Sequence, residues 1–311
     1  MRIPRPALLL AAAGLFLIAR KPRRPQFHAQ SILRFSRVVA DLDRAEAFYR
    51  DALGFRTIRR GRCDPLPFAP EQAEEIVMRL GHETIALVRF ATPGRPCPPD
   101  SRSNDLWFQH LAIVVTDVDA AYTHLLRHHG WQPITAGGPQ LLPPSNGAVR
   151  AFKFRDPDGH PLELLWFPPG QGRAIWHDRP ADTPFLGVDH SALSIGSTPR
   201  SRTFYRSLGL HVSDRSLNHG PAQASLDGLP GATVRVTSLR PASDNGPGIE
   251  LLGYHPPGRA AATPSPNDRV TDWITLLVTP PSGDVMRMRR DPDGHLLLLL
   301  DQGAAATGLP A

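Results

Sequence analysis

Phe48-Tyr49-Arg50-Asp51-Ala52-Leu53-Gly54-Phe55 returns, one residue shorter, as Phe204-Tyr205-Arg206-Ser207-Leu208-Gly209-Leu210. Likewise, Asp156-Pro157-Asp158-Gly159-His160 returns as Asp291-Pro292-Asp293-Gly294-His295. Such self-similarity describes a chain assembled from copies of one small unit, in which neighbouring copies must meet to close a core. Just upstream of the first quoted stretch, residues 32–40 alternate and carry β-branched side chains, as a half-buried strand requires. Asp41 is placed to cap an amphipathic helix that runs through Tyr49 to Leu53. Strands near residues 55–59, 76–80 and 84–90 complete one βαβββ unit.

The same order repeats downstream. A strand over residues 108–115, Asp117, a helix over 118–128, and strands over 149–155 and 161–167 make a second copy, with the Asp156 turn between its last two strands. A third copy has strands over 188–195, 233–239 and 248–254, and a helix capped by Ser197 or Thr198 and ending near Leu208. A fourth begins at 273–278, but the interval before its next strand, 285–289, is so short that its helix is cut down or missing. First strands recur at separations of 76 (Arg34 to His110), 80 (His110 to His190) and 83 (His190 to Trp273) residues. The expected fold is therefore α+β, with four βαβββ repeats forming two cupped sheets and the fourth repeat degenerate. The expected division is an apolar and basic segment 1–30, copies one and two over 31–168, a linker 169–186, copies three and four over 187–302, and a tail 303–311.

Length and composition fit this division: 311 residues, 41% hydrophobic and 21% charged, suffice for two ordinary cores. The net charge of +6 is not a nucleic-acid footprint, because six basic residues lie before position 26 with no acid among them, leaving 29 basic against 29 acidic residues elsewhere. Cys63 and Cys97 match no disulfide framework, zinc pattern or redox pattern. The apolar run 7–19 is short for a membrane span, which needs about 20 residues, and is followed directly by Arg20-Lys21-Pro22-Arg23-Arg24. That charge opposes translocation, so the expected location is cytoplasmic, with membrane contact, if any, through residues 7–19.

Three sets of residues carry a family resemblance: Gln109-His110-Leu111-Ala112-Ile113-Val114-Val115-Thr116-Asp117, the Phe-Tyr-Arg helix end with its Leu-Gly, and Asp156-Pro157-Asp158-Gly159-His160 followed by Glu163. Together they resemble the vicinal oxygen chelate superfamily, which includes glyoxalase I, bleomycin-resistance proteins, extradiol dioxygenases and methylmalonyl-CoA epimerase. The resemblance spans about residues 31–300. It implies paired βαβββ units around a divalent metal, with one ligand from each first strand and a carboxylate from each fourth strand. Carried over, the ligand positions are Arg34 and Ala86, His110 and Glu163, His190 and Glu250, and Trp273 (or Ile274) and Leu298. Only the middle two copies offer ligand chemistry. If copies two and three pair, and one with four, a single cup collects His110, Glu163, His190 and Glu250; if neighbours pair in order, each cup holds only one His and one Glu. The first arrangement gives the ligand loss one cause and is the one expected. The set suits one divalent ion, with Ni, Co, Mn, Fe and Zn not distinguished by spacing.

Local chemistry points to the same residues. Glu163 in Pro161-Leu162-Glu163-Leu164-Leu165 and Glu250 in Gly248-Ile249-Glu250-Leu251-Leu252 are carboxylates among apolar neighbours, and need a cationic partner there. Ala112 and Ala192 share strand faces with His110 and His190, leaving room beside each. Asn218, Gln223 and Tyr254 are candidates for orienting a small-molecule substrate. His160 and His295 read as turn residues, and Asp272 as a surface or turn acid. The expected function is a metal-dependent glyoxalase-like lyase or isomerase acting on a substrate with vicinal oxygens, with Glu163 or Glu250 carrying the proton. The alternatives are an extradiol-type dioxygenase and a metal-free binding or resistance protein.

Overall fold

The computed structural model describes residues 27–63, 66–67, 72–178, 183–241, 246–260, 264–279 and 286–301. The run 7–19 with its basic flank, the interval 280–285 where a helix was expected to be lost, and the tail 303–311 lie outside the described residues. Among those described, no helix is long and apolar enough to cross a membrane.

The first stretch of chain forms β1 (His28–Val38), α1 (Leu42–Leu53), β2 (Arg56–Arg62), β3 (Ala73–Leu80) and β4 (Glu83–Phe90). The second forms β5 (Gln109–Val115), α2 (Val118–Leu125), the two-residue strands β6 (Gln132–Pro133) and β7 (Gln140–Leu141), β8 (Arg150–Arg155) and β9 (Pro161–Trp166). A short helix α3 (Ile175–Asp178) precedes β10 (Phe185–Ser194), α4 (Thr198–Ser207), β11 (Leu210–His219), α5 (Pro221–Asp227), β12 (Thr233–Pro241) and β13 (Gly248–Tyr254). The last stretch supplies β14 (Trp273–Thr279), β15 (Met286–Arg290) and β16 (Leu296–Leu300).

These strands build two mixed sheets in an α+β fold. One runs β15-β16-β14-β1-β4-β3-β2; the other runs β11-β12-β13-β10-β5-β9-β8-β6, with β7 on β8. Each sheet draws strands from both sides of residues 169–186. At the middle of each, two strands far apart in sequence meet antiparallel, β1 with β14 and β5 with β10, and each then has a parallel neighbour from its own stretch.

The motifs that repeat in the sequence lock the elements together. Asp41 caps α1 by accepting from the Arg44 amide, and Gly54 ends it in the left-handed region at φ 72. At Gly209, φ is 89 and a Cβ would lie 2.8 Å from the Ala29 backbone nitrogen, so only glycine fits. The Tyr49 hydroxyl donates to Asp156 at 2.9 Å, and the Tyr205 hydroxyl to Asp291 at 3.2 Å. Thus the tyrosine of each Phe-Tyr-Arg helix holds the first aspartate of a distant Asp-Pro-Asp-Gly turn. The same aspartates accept from the backbone of their own turns, at Asp158 and His160 and at Asp293 and His295.

Three details differ from the sequence expectation. Residues 169–186 are not only a linker: α3 lies within them, because Trp176 is apolar enough to bury and gives its indole N–H to Asp189 at 2.8 Å. Strand β11 and helix α5 lack a clear hydrophobic period, since β11 is a largely exposed edge strand and α5 is only seven residues long. Asp272 is no surface acid; it is buried, 3.6 Å from both the Arg37 guanidinium and the His160 ring.

Candidate metal centre

The central strands of the second sheet are buried throughout, so a polar side chain on them is either paired or functional. The register fixes where the polar residues fall. His110 on β5 faces Ala192 on β10, and His190 on β10 faces Ala112 on β5. The parallel neighbours then bring Glu163 beside Ala112 and Glu250 beside Ala192. Two histidines and two glutamates therefore surround a pair of fully buried alanines. Pairing of β10 skips Asp189, a bulge immediately before His190.

The side chains converge. His110 Nε2 lies 3.0 Å from Glu163 Oε2, His190 Nε2 lies 3.9 Å from the same oxygen, and His190 Nε2 is 3.4 Å from Glu250 Oε2. One ligand atom each from His110, Glu163 and His190 falls within 4.8 Å of the others, with all three residues buried. Despite these distances, neither ring nitrogen of His110 nor Nε2 of His190 makes a hydrogen bond. Close approach without hydrogen-bond alignment is how donors arranged around a shared cation meet. Glu250 is the most exposed of the four, its side chain 23% accessible against 7% for Glu163, and its other oxygen accepts from Ser238 Oγ at 2.8 Å.

Neighbouring groups orient the candidate ligands and shift their protonation. His190 Nδ1 lies 3.0 Å from Asp189 Oδ2, which orients the ring with Nε2 toward the cluster. Asp189 is anchored in turn by the Trp176 indole at 2.8 Å and by Arg173 at 3.3 Å. Burial and the nearby Lys153 ammonium push the His110 imidazole down to about 4, so it is neutral and able to ligate. Burial alone would lower His190 too, but Glu250 and Asp189 outweigh it and raise the ring to about 9. Glu163, although buried, is held down at about 2 by Lys153 and His110. A divalent ion held by this set would displace the proton from His190, since an imidazolium cannot ligate.

A cavity of about 630 Å³ opens over the four residues, and Asn218, Gln223 and Tyr254 also line it. Asn218 is already engaged: its carbonyl oxygen accepts from Ser216 Oγ at 2.7 Å and from the Asn146 amide. The sequence reading missed Lys153, Asp227 and Asp189. Lys153 had a signal, since it interrupts the buried Phe152 and Phe154 and pairs across the strands with Glu163. Asp227 had none, because α5 brings it to Lys153 Nζ, at 2.8 Å, only in the folded chain.

The first sheet holds no such set at the corresponding places. There Arg34 faces Thr275, Trp273 faces Ser36, and Ala86 and Leu298 stand beside Ser36 and Thr275. This register selects Trp273, not Ile274, as the counterpart of His190. Arg34 lies 3.5 Å from Glu75, while Ala86, Trp273 and Leu298 belong to one apolar cluster.

With this geometry in place, comparison with known proteins is informative. A model of the glyoxalase/bleomycin resistance protein/dioxygenase superfamily matches residues 31–164. The uncharacterized protein YaeR of Escherichia coli K12 is 31% identical over 129 residues, which is 41% of this chain and 88% of that protein. Among solved structures, a glyoxalase I mutant from Zea mays aligns with a TM-score of 0.58 at 17% identity, covering 89% of this chain and 94% of its own. A putative dioxygenase from Bacillus subtilis aligns with a TM-score of 0.50 at 13% identity, covering 88% and 86%. At those identities the structural likeness speaks for the fold alone. The sequence matches and the fold lead to one conclusion: the chain belongs to the glyoxalase/bleomycin resistance protein/dioxygenase superfamily.

Proposed function

We propose that the protein is a metal-dependent lyase or isomerase that moves a proton on a small substrate bearing vicinal oxygens, with His110, Glu163, His190 and Glu250 as ligands of one divalent ion. The observation that carries this reading is the buried His110, Glu163, His190 set, in which neither histidine Nε2 makes a hydrogen bond although a Glu163 oxygen lies 3.0 and 3.9 Å away. When bound, the ion supplies Lewis-acid stabilisation of charge developing on substrate oxygens. The protein's own groups do the rest. Asp189 and the strand register hold the His190 ring in place. Glu250 is the better proton carrier of the two acids, since it is more exposed to the cavity and is steadied through its other oxygen by Ser238. Its test is proton exchange from solvent into a hemithioacetal or a 2-hydroxy ketone. Glu250→Gln is expected to abolish exchange while retaining most of the metal, whereas Glu163→Gln loses both. Undiminished exchange in both variants removes the carboxylate role.

A second reading is favoured by one observation: His110, Glu163 and His190 alone make a two-histidine, one-carboxylate set of the kind that holds non-haem iron. Anaerobic loading with Fe²⁺ followed by oxygen uptake with catechols distinguishes it from proton transfer. Tight stoichiometric binding of a small molecule with no bound ion is the outcome that favours a binding protein.

A further inference from the structure

On the wall of the cavity beside the ligand set lies a second group of buried polar side chains. Lys153 Nζ donates to Asp227 Oδ1 at 2.8 Å, and Gln223 Nε2 donates to Asp227 Oδ2 at 2.7 Å. Lys153, Gln223 and Tyr254 line the cavity, and all four residues are at least nine-tenths buried. A buried ion pair of this kind is seldom better for stability than apolar packing, so its presence in a cavity wall asks for a use. Two of its atoms are left over. Gln223 Oε1 makes no hydrogen bond, and the Tyr254 hydroxyl, although close enough to the Asp227 carboxylate to interact with it, meets no partner in hydrogen-bond geometry. Gln223 Nε2 already gives one N–H to Asp227, and the atom of this amide left without a partner is the acceptor Oε1. Tyr254 keeps a proton to give, since burial and Asp227 push its phenol well above the ordinary range.

We infer that Gln223 and Tyr254, braced by Asp227 and Lys153, form a subsite for a hydroxyl group at the far end of a ligand whose other end chelates the ion. This rests on the metal reading and extends it. A hydroxyl oxygen accepts from Tyr254 and donates to Gln223 Oε1, satisfying both buried atoms at once. A methyl group satisfies neither. A carboxylate is disfavoured, because Asp227 already neutralises Lys153 and the remaining acceptor on Gln223 repels it. The substrate class is therefore a small chelating molecule with an additional neutral hydroxyl, not a dianion.

The experiment is calorimetric titration of the full-length protein, first with Ni²⁺ and then, once loaded, with straight-chain hydroxamates of three successive lengths ending in hydroxyl, methyl or carboxylate. At one length the hydroxyl-ended probe is expected to bind about tenfold more tightly than its methyl partner, with the carboxylate-ended probe weakest. In Tyr254→Phe that preference is expected to fall to about twofold, with the affinity of the methyl-ended probe unchanged. The wild-type ranking needs no variant, so it decides the matter even if Tyr254→Phe fails to fold. Uptake of Ni²⁺ with no hydroxyl preference at any length overturns the subsite alone, as does a preference that survives intact in Tyr254→Phe. No uptake of Ni²⁺ overturns the metal centre and the subsite together.

Discussion

Asp189 illustrates how much of the site depends on single side chains that hold a neighbouring ring in place. Its carboxylate sits 3.0 Å from His190 Nδ1 while the Trp176 indole and Arg173 hold it from behind. Replacing it by Asn keeps the shape but removes the charge that fixes the ring. Asp189→Asn is expected to weaken metal binding about 10- to 100-fold, measured by competition with a chromophoric chelator. Unchanged affinity means that Asp189 serves only to anchor α3. The convergence of the four candidate ligands was legible in the sequence, because a histidine and a glutamate recur at matching strand positions in the stretches around 110–163 and 190–250. Asp189 was not, since an acid next to a histidine in sequence reveals its contact only once the bulge in β10 turns both side chains. Asp272 was misread for a related reason: its charge suggested the surface, while its partners Arg37 and His160 come from β1 and the turn before β9.

At the scale of elements, stability rests on couplings between helices and turns. Tyr49 from α1 and Tyr205 from α4 each hold the aspartate of a turn more than eighty residues away. Tyr49→Phe and Tyr205→Phe are each expected to lower unfolding free energy by about 1 to 3 kcal/mol, adding in the double variant, as measured by urea denaturation. The Asp156 turn also makes stability depend on pH. Burial opposes protonation of His160, but Asp156 and Asp272 overcome it and raise the ring to about 9, above its ordinary 6.5. The folded state therefore holds this proton more tightly than the unfolded chain. The resulting stabilisation is complete below about pH 6.5 and is lost as pH rises through about 9. Asp156 works in the opposite sense: held well below the ordinary carboxylate range by His160 and Arg37 against the cost of burial, it loses its contribution only in strong acid. The urea midpoint of the wild type is expected to fall between pH 7 and 9.5, and that slope is expected to flatten in His160→Gln. An equal slope in both proteins places the titrating group elsewhere. Both motifs were visible in the sequence as repeats, but repetition does not say that a tyrosine of one meets an aspartate of the other.

Across the whole molecule, the two sheets share a strand plan and differ in what fills them. In one, two histidines and two glutamates border a cavity of about 630 Å³; in the other, the matching places hold Arg34 paired with Glu75, and Ala86, Trp273 and Leu298 packed together. The apolar filling leaves the first sheet without ligand chemistry at those places. Leu298→Ala is expected to cost about 2 to 5 kcal/mol in urea denaturation while leaving the metal stoichiometry unchanged. The α+β class and most strands followed from alternation and spacing, which reflect burial along the chain. Strand β11 and helix α5, which carry Asn218 and Gln223 to the cavity and Asp227 to Lys153, escaped because an exposed edge and a seven-residue helix leave little periodic trace. The claim on which the rest depends is that β5 and β10 deliver His110 and His190 to one ion. Elemental analysis of purified, metal-loaded protein tests it most directly: one ion per chain is expected in the wild type and none in either His110→Ala or His190→Ala. An ion retained in full by either folded variant, or none taken up by the wild type, contradicts it.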